Sequence, residues 1–162
     1  MGEISQTSQV TGRSVAEAGR SPAGTNRSIL VPVKTLPCPC QSGQVYAECC
    51  EPFHRGAARA ATAELLMRSR FSAYAVGDVG YVRRSWHATT RPPDLVLDDD
   101  VRWYRLEVLG SSRGGVFDTE GTVEFRAHYR ANGARGSQHE VSRFVREGGE
   151  WLYLDAVLTR AR

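Results

Sequence analysis

No stretch of the 162 residues approaches the roughly 18 to 20 uninterrupted apolar residues of a membrane span. The N-terminus also lacks the contiguous apolar core of a secretory signal, so the expectation is a cytoplasmic protein with no membrane association. Neither sign of charge dominates. The net charge is +3, and most of that surplus falls in the first 35 residues, so bulk charge does not imply a nucleic-acid partner. Phosphate-cradling glycine loops, dinucleotide fingerprints and zinc-protease helices are missing, as is a nucleophile elbow around any of Ser69, Ser72, Ser112 or Ser142. These absences argue against nucleotide-dependent and serine-hydrolase chemistry. No internal repeat is visible, and a hydrophobic content of 41% suits one soluble domain with small additions. Cysteine is absent everywhere except between Cys38 and Cys50.

That confinement points to one local site. In a reducing compartment, close thiols are metal ligands more readily than disulfides, and the neighbours Cys49 and Cys50 pair poorly with each other. Cys38-Pro39-Cys40 places two thiols two residues apart. A Ser42-Gly43 turn follows, and Cys49-Cys50 closes a short helical approach. Four thiolates can converge tetrahedrally on zinc, and a saturated site is structural, because a catalytic ion needs an open position. Such closure would supply the folding energy that a short polar segment lacks. Exchange of one cysteine for His54 is the alternative ligand set. Redox-active thiols are the alternative chemistry, although the Cys-x-x-Cys spacing they favour is missing.

Along the chain, residues 1–35 are rich in Gly, Ser, Thr, Gln and Arg without a sustained period and are expected to be disordered. Residues 36–56 form the compact cysteine segment. Residues 57–162 carry the main domain. Within it, Thr62 is placed to cap a helix running to Val76, with Leu66, Met67, Phe71, Ala73 and Tyr74 at three- and four-residue steps and Gly77 as its stop. Asp78 is placed to cap a second helix carrying Val79, Val82 and Trp86, which Pro92-Pro93 forbid from continuing. From Val101 onward the period becomes two, and Tyr104, Leu106 and Val108 alternate with Trp103, Arg105 and Glu107. Turn signals at Gly114-Gly115, Asn132-Gly133 and Gly148-Gly149 separate four strands near 102–110, 115–130, 138–147 and 150–158. Helices followed by an antiparallel meander make an α+β domain, and a sheet curled on its helices leaves a concave face suited to a small-molecule pocket.

Two resemblances add to this reading. CPCQSGQVYAECC resembles the SEC-C motif, the zinc-binding tail of the SecA translocation ATPase, with Gln41 in place of the usual glycine. The resemblance implies zinc on Cys38, Cys40, Cys49 and Cys50. It also implies a protein partner for the module, since the similar SecA tail engages a secretion chaperone and the ribosome. The collinear segments CCEPFH, TAELLMRSRFSAYAVGDVGYV, SWHATTRP, VEFRAHYR, HEVSRF and WLYLD are similar to the YchJ family of small bacterial proteins over roughly residues 37–157. That family implies a SEC-C module followed by a nuclear transport factor 2-like cone, in which helices are wrapped by a curved antiparallel sheet.

Arg68 and Arg70 lie about 200° apart around their helix and cannot share a face. Arg68 follows Glu64 by one turn and is expected to pair with it at the surface. Arg70 shares the row of Leu66, Ala73 and Tyr74, so it is expected to turn inward and to take Glu124, Glu140 or Asp155 as its partner, or to bind an anion in the cone. Trp86, His87 and Arg91 fall where the second helix gives way to a turn, at the mouth of such a cone. Trp103, with Tyr74, is expected beside any functional acid or base. Glu140 points to the face opposite His139, so those two do not form a simple dyad. Asp98-Asp99-Asp100 reads as a solvated turn. The preferred reading is a binding or adaptor protein whose cone holds a small apolar or anionic ligand. The alternative is an enzyme, an isomerase, dehydratase or hydrolase of the kinds hosted by related folds, using a histidine or an acid of the cone. Oligomeric state is left open.

Overall fold

The computed structural model describes residues 35–161, with the side chains at 158, 159 and 161 excluded, so the expected tail lies almost wholly outside the described residues. After a short 3-10 turn, Tyr46–Glu48, three helices follow: α1, Glu51–His54; α2, Ala63–Val76; and α3, Val79–Arg84. Thr62 takes an extended backbone, and its Oγ1 accepts a hydrogen bond from the Leu65 N–H at 3.2 Å, so α2 starts where the cap predicts. Gly77, at φ +78°, ends it in the left-handed conformation that lets the chain turn at once into α3. Asp78 Oδ1 then accepts from the Tyr81 N–H at 2.8 Å and caps α3.

Trp86, expected on that second helix, lies two residues past its end. The Ser85 hydroxyl donates back to the Tyr81 carbonyl at 2.7 Å, and Trp86 leaves in an extended conformation that bridges Tyr153 in parallel. Its indole meets the Tyr153 ring edge-on at 4.8 Å, so tertiary packing overrides the helical period.

Four antiparallel strands follow in sheet order: β1, Val101–Arg113; β2, Glu120–Ala131; β3, Ala134–Glu147; and β4, Glu150–Ala161. Asn132-Gly133 and Gly148-Gly149 have positive φ at both residues, the conformation of two-residue hairpin turns that match strand twist. The second strand begins at Glu120 rather than 115, because Asp118 Oδ2 accepts from the Gly115 N–H at 2.9 Å and closes a turn there.

The pleat expected for β1 is also corrected. Its register skips between Trp103 and Arg105, so Tyr104 is an extra residue that swings outward, 41% exposed, while Trp103 and Leu106 both face inward. A second irregularity follows Val108, and two more interrupt the β3–β4 pairing. Bulges bend and twist strands, and these curl the sheet around α2. The start of α2 is stitched to that sheet by the Ala63 N–H donating to the Gly114 carbonyl at 2.8 Å and by the Trp151 indole N–H donating to the Ala61 carbonyl at 3.2 Å. Leu66, Met67, Phe71 and Ala73 of α2 then bury themselves against Leu106, Val123, Ala127, Phe144 and Trp151. No described helix is long and apolar enough to cross a membrane.

Candidate functional site

Two sites flank α2. The first is the cysteine module. The Cys38 N–H donates to the Gln44 carbonyl at 2.8 Å and the Gln41 N–H to the Cys38 carbonyl at 3.0 Å, forming a knuckle whose turn passes through Gln41 at φ +60°. That left-handed position explains the glycine usual in the motif, and here glutamine adopts it. The four Sγ atoms of Cys38, Cys40, Cys49 and Cys50 all lie within 4.8 Å of one another, with Cys40 to Cys49 at 3.5 Å and Cys49 to Cys50 at 3.9 Å. A tetrahedron of sulfurs around an ion, with metal–sulfur bonds of about 2.3 Å, has edges of roughly 3.8 Å, so the donor set fits a soft, four-coordinate metal ion. Hydroxyls stand beside the sulfurs: Ser42 Oγ is 3.1 Å from the Cys49 sulfur and Ser72 Oγ 3.5 Å from the Cys38 sulfur.

Crowding governs the protonation of these thiols. Hydrogen bonding from Cys38 holds Cys40 far below the ordinary thiol range. The bonds to Cys38 push Cys50 well above it, and burial pushes Cys49 up to about 11. A soft cation at the centre would favour the thiolate form of the sulfurs around it.

His54 does not join the cluster. Its Nε2 donates to the Ser69 carbonyl at 2.8 Å, and its Nδ1 accepts from the Tyr46 hydroxyl at 2.7 Å, so both ring nitrogens are engaged elsewhere and the alternative ligand set is corrected. The Ser69 carbonyl can only accept, which fixes the neutral tautomer with the proton on Nε2. Burial lowers the His54 pKa below 6.5. The unfolded chain therefore takes up a proton at a higher pH than the folded one. The resulting stability is complete above pH 6.5 and is lost as pH falls toward the folded value. Thermal melts at stepped pH are expected to show Tm falling below pH 6.5 in the wild type and a shallower fall in His54→Gln; parallel curves would show that His54 is not the group responsible.

The module is tied to the main domain. Arg68 Nη1 donates to the Cys40 carbonyl at 3.1 Å while its Nε pairs with Glu64 at 2.8 Å, and the Gln41 side-chain amide donates to the carbonyl of the bulged Tyr104 at 3.2 Å.

The second site is a cavity of about 230 Å³ between α2 and the concave face of the sheet. Arg70, Tyr74, Trp86, Trp103 and Glu140, five of the residues singled out from the sequence, line it. Arg70 is 5% exposed, and burial lowers its pKa. Its Nη1 donates to the Val82 carbonyl at 2.8 Å and to Ser85 Oγ at 2.6 Å, and its guanidinium lies 5.1 Å from the Trp86 ring centre and 4.6 Å from that of Tyr153. The carboxylate partners expected for it do not pair with it. Glu124 Oε1 is 2.7 Å from His139 Nε2, and Asp155 Oδ1 accepts from Arg143 Nε at 2.7 Å. Glu140 shares the cavity but takes its hydrogen bonds from Gln138 at 2.7 Å, Tyr153 at 3.2 Å and Ser142.

His87, Arg91, Glu124 and His139 are not brought to the cavity. His87 follows the inward Trp86 on an extended segment and so points away, 2.7 Å from Thr89 Oγ1 and 3.1 Å from Glu147. The Arg91 guanidinium lies against the Arg83 carbonyl at 3.4 Å. Glu124 and His139 occupy the outer pleat, as strand parity requires. The sequence reading missed Gln138, Ser142, Phe125, Phe144 and Tyr153 as cavity residues. The signal was present: Gln138, Ser142 and Phe144 share the parity of Glu140.

The class is thereby set: a four-thiol module joined to a cone-type α+β domain. The chain matches the family described as "YchJ, middle NTF2-like domain" over residues 62–156 and the SEC-C motif over residues 35–52. It belongs to that YchJ-type family. Its curated relatives include UPF0225 protein SCO1677 of Streptomyces coelicolor, 51% identical over 121 residues covering 75% of this chain and 94% of the relative. A UPF0225 protein of Deinococcus radiodurans is 47% identical over 122 residues, covering 74% of this chain and 88% of that one. Among solved structures, the SEC-C motif containing protein RPA3114 of Rhodopseudomonas palustris superposes with a TM-score of 0.65 at 36% identity, covering 74% of this chain and 95% of that one. A SEC-C motif containing protein of Psychrobacter arcticus gives 0.63 at 25% identity, with coverages of 79% and 84%.

Proposed function

We propose that this is a cytoplasmic binding or adaptor protein in which a structural zinc ion on Cys38, Cys40, Cys49 and Cys50 shapes a small lobe for docking a protein partner, while the cone cavity holds a small apolar or anionic molecule. The observation that carries the reading is the cavity itself, an aromatic enclosure with one buried guanidinium. Its polar groups are already engaged: Glu140 accepts from Gln138, Ser142 and Tyr153, and Arg70 donates to Val82 and Ser85. That arrangement suits holding a molecule more than moving its protons. Zinc is the ion that four thiolates with no open position suit, and a reducing cytoplasm keeps the thiols available.

The enzyme reading draws on one feature, the buried carboxylate of Glu140 facing the same cavity as Arg70. Native mass spectrometry of protein purified without added metal tests both parts. One zinc per chain and a retained organic molecule, lost in Trp103→Ala, are the expected result. Absence of zinc would overturn the module assignment. A chain that retains nothing, and whose Tm no small carboxylate or apolar probe raises, would overturn the ligand assignment.

A further inference from the structure

We propose that the outer face of the sheet, at its Asn132-Gly133 end, is a binding site for single-stranded nucleic acid. The strand register places Arg102 of β1 directly opposite Arg130 of β2, and Arg130 directly opposite Arg135 of β3. Residues opposite one another share a face, so three guanidinium groups, separated by 28 and 5 positions in the chain, stand in a row across three strands. All three are exposed, and among the described residues none of them has an acidic partner. Like charges directly opposite disfavour the sheet, and a ligand carrying the opposite charge relieves that cost. Further along the same face, Glu107 forms ion pairs with Arg105 and Arg126 and lies 3.2 Å from His128, and Glu124 pairs with His139.

The ladder has an aromatic companion. The β1 bulge turns Tyr104 outward, where the Arg130 guanidinium lies 5.4 Å from its ring centre and the residue stays 41% exposed. Fork-shaped donors match phosphate in a bidentate manner, and an exposed ring among them offers a base a stacking surface, the pairing of contacts by which open sheet faces hold single strands. An acidic peptide would use the arginines and gain little from the ring, which is why nucleic acid is favoured. The face is also adjacent to the cysteine module, since Gln41 bonds the Tyr104 carbonyl at 3.2 Å.

The test is fluorescence anisotropy of a labelled twelve-nucleotide oligo-uridine against the full chain over a salt series, with oligo-thymidine in parallel. Arg102→Gln/Arg130→Gln/Arg135→Gln is expected to weaken binding at least tenfold at low salt and to lower the slope of log affinity against log salt by about 2, at roughly 0.7 per lost phosphate contact. It should melt no lower than the wild type, because a repulsive row has been removed. A control of equal charge, Arg55→Gln/Arg59→Gln/Arg113→Gln, removes arginines already paired with Glu51, Glu150 and Glu120 and is expected to keep the wild-type affinity. Tyr104→Ala should lose at least fivefold for either oligomer. Equal losses in the two triple variants would reduce the effect to net charge and overturn the site. Binding of polyglutamate but of neither oligonucleotide would overturn it in favour of an acidic protein, as would no binding at all at 50 mM salt.

Discussion

Cys40→Ser is expected to lower the zinc content of the purified protein from about one ion per chain to near zero, and Cys50→Ser to do the same, whereas His54→Gln keeps the ion. Elemental analysis by mass spectrometry reads all three. The expectation rests on the sulfurs being gathered within 4.8 Å while both nitrogens of His54 are bonded elsewhere. Ion loss should also be local. Cys38, Cys40 and Cys50 are themselves the buried core of the module, and among the described residues Tyr46 and Cys49 are the partly buried apolar residues packed against them. Its regular elements are a 3-10 turn of three residues and a helix of four. Such pieces do not persist alone, so a bound zinc ion would supply most of their folding energy, on the order of 10 kcal/mol for comparable zinc peptides. Amide exchange in residues 36–56 should rise to near the unprotected rate while β2 and β3 keep their protection. Acidification should act like the mutation, since protons compete with the ion for thiolates. Full zinc in Cys50→Ser, or loss of protection throughout the sheet, would sink this account.

The convergence of the four cysteines was legible because they fall in one short window and because the spacing matches a known motif. The choice between Cys50 and His54 was not legible. It depends on a tertiary contact, the Ser69 carbonyl of α2, which captures the imidazole from fifteen residues away in sequence. Helix limits were legible for the opposite reason, being set by local chemistry: the Thr62 and Asp78 side chains bond backbone N–H groups three residues on. Hairpin turns were legible through Asn132-Gly133 and Gly148-Gly149, where both residues must take positive φ.

The bulges were hidden. A period of two persists across Tyr104 in the sequence, yet one inserted residue reverses which side chains reach the core, so Trp103 faces the cavity and Tyr104 leaves it. Cross-strand neighbours were hidden likewise, since the alignment of Arg102 with Arg130 depends on that same irregular register. Net charge averages over the chain and conceals such a row. His87 and Arg91 were misplaced because the end of α3 was set too late: the helix stops at Arg84, Trp86 bridges Tyr153, and the chain then turns, with the Thr90 and Arg91 N–H groups both donating to the His87 carbonyl.

Arg70→Met is expected to lower Tm by on the order of 10 °C, corresponding to about 3 kcal/mol, while Arg68→Met costs about 1 kcal/mol or less. Both substitutions keep a long apolar stem at a helical position, so the difference isolates the guanidinium. At position 70 the group is 5% exposed; its loss takes from the Val82 carbonyl the shorter of its two side-chain donors, leaving Ser85 Oγ at 3.2 Å, and removes two ring contacts, to Trp86 and Tyr153. It also takes away the positive field in which Glu140 is buried, and the opposite charge of Glu140 in turn favours the charged guanidinium. At position 68 the guanidinium is partly solvated, pairing with Glu64 and bonding the Cys40 carbonyl, so water replaces most of what is lost. A double variant, Arg70→Met/Glu140→Gln, separates the contributions. Recovery of part of the lost stability would mean that the stranded carboxylate is a large share of the penalty, and no recovery would assign it to the Val82 and Ser85 hydrogen bonds and the ring contacts. Differential scanning calorimetry on the four proteins decides the matter. Equal small losses at positions 68 and 70 would contradict the placement of Arg70 as the buried cation that braces α2 against α3 and β4.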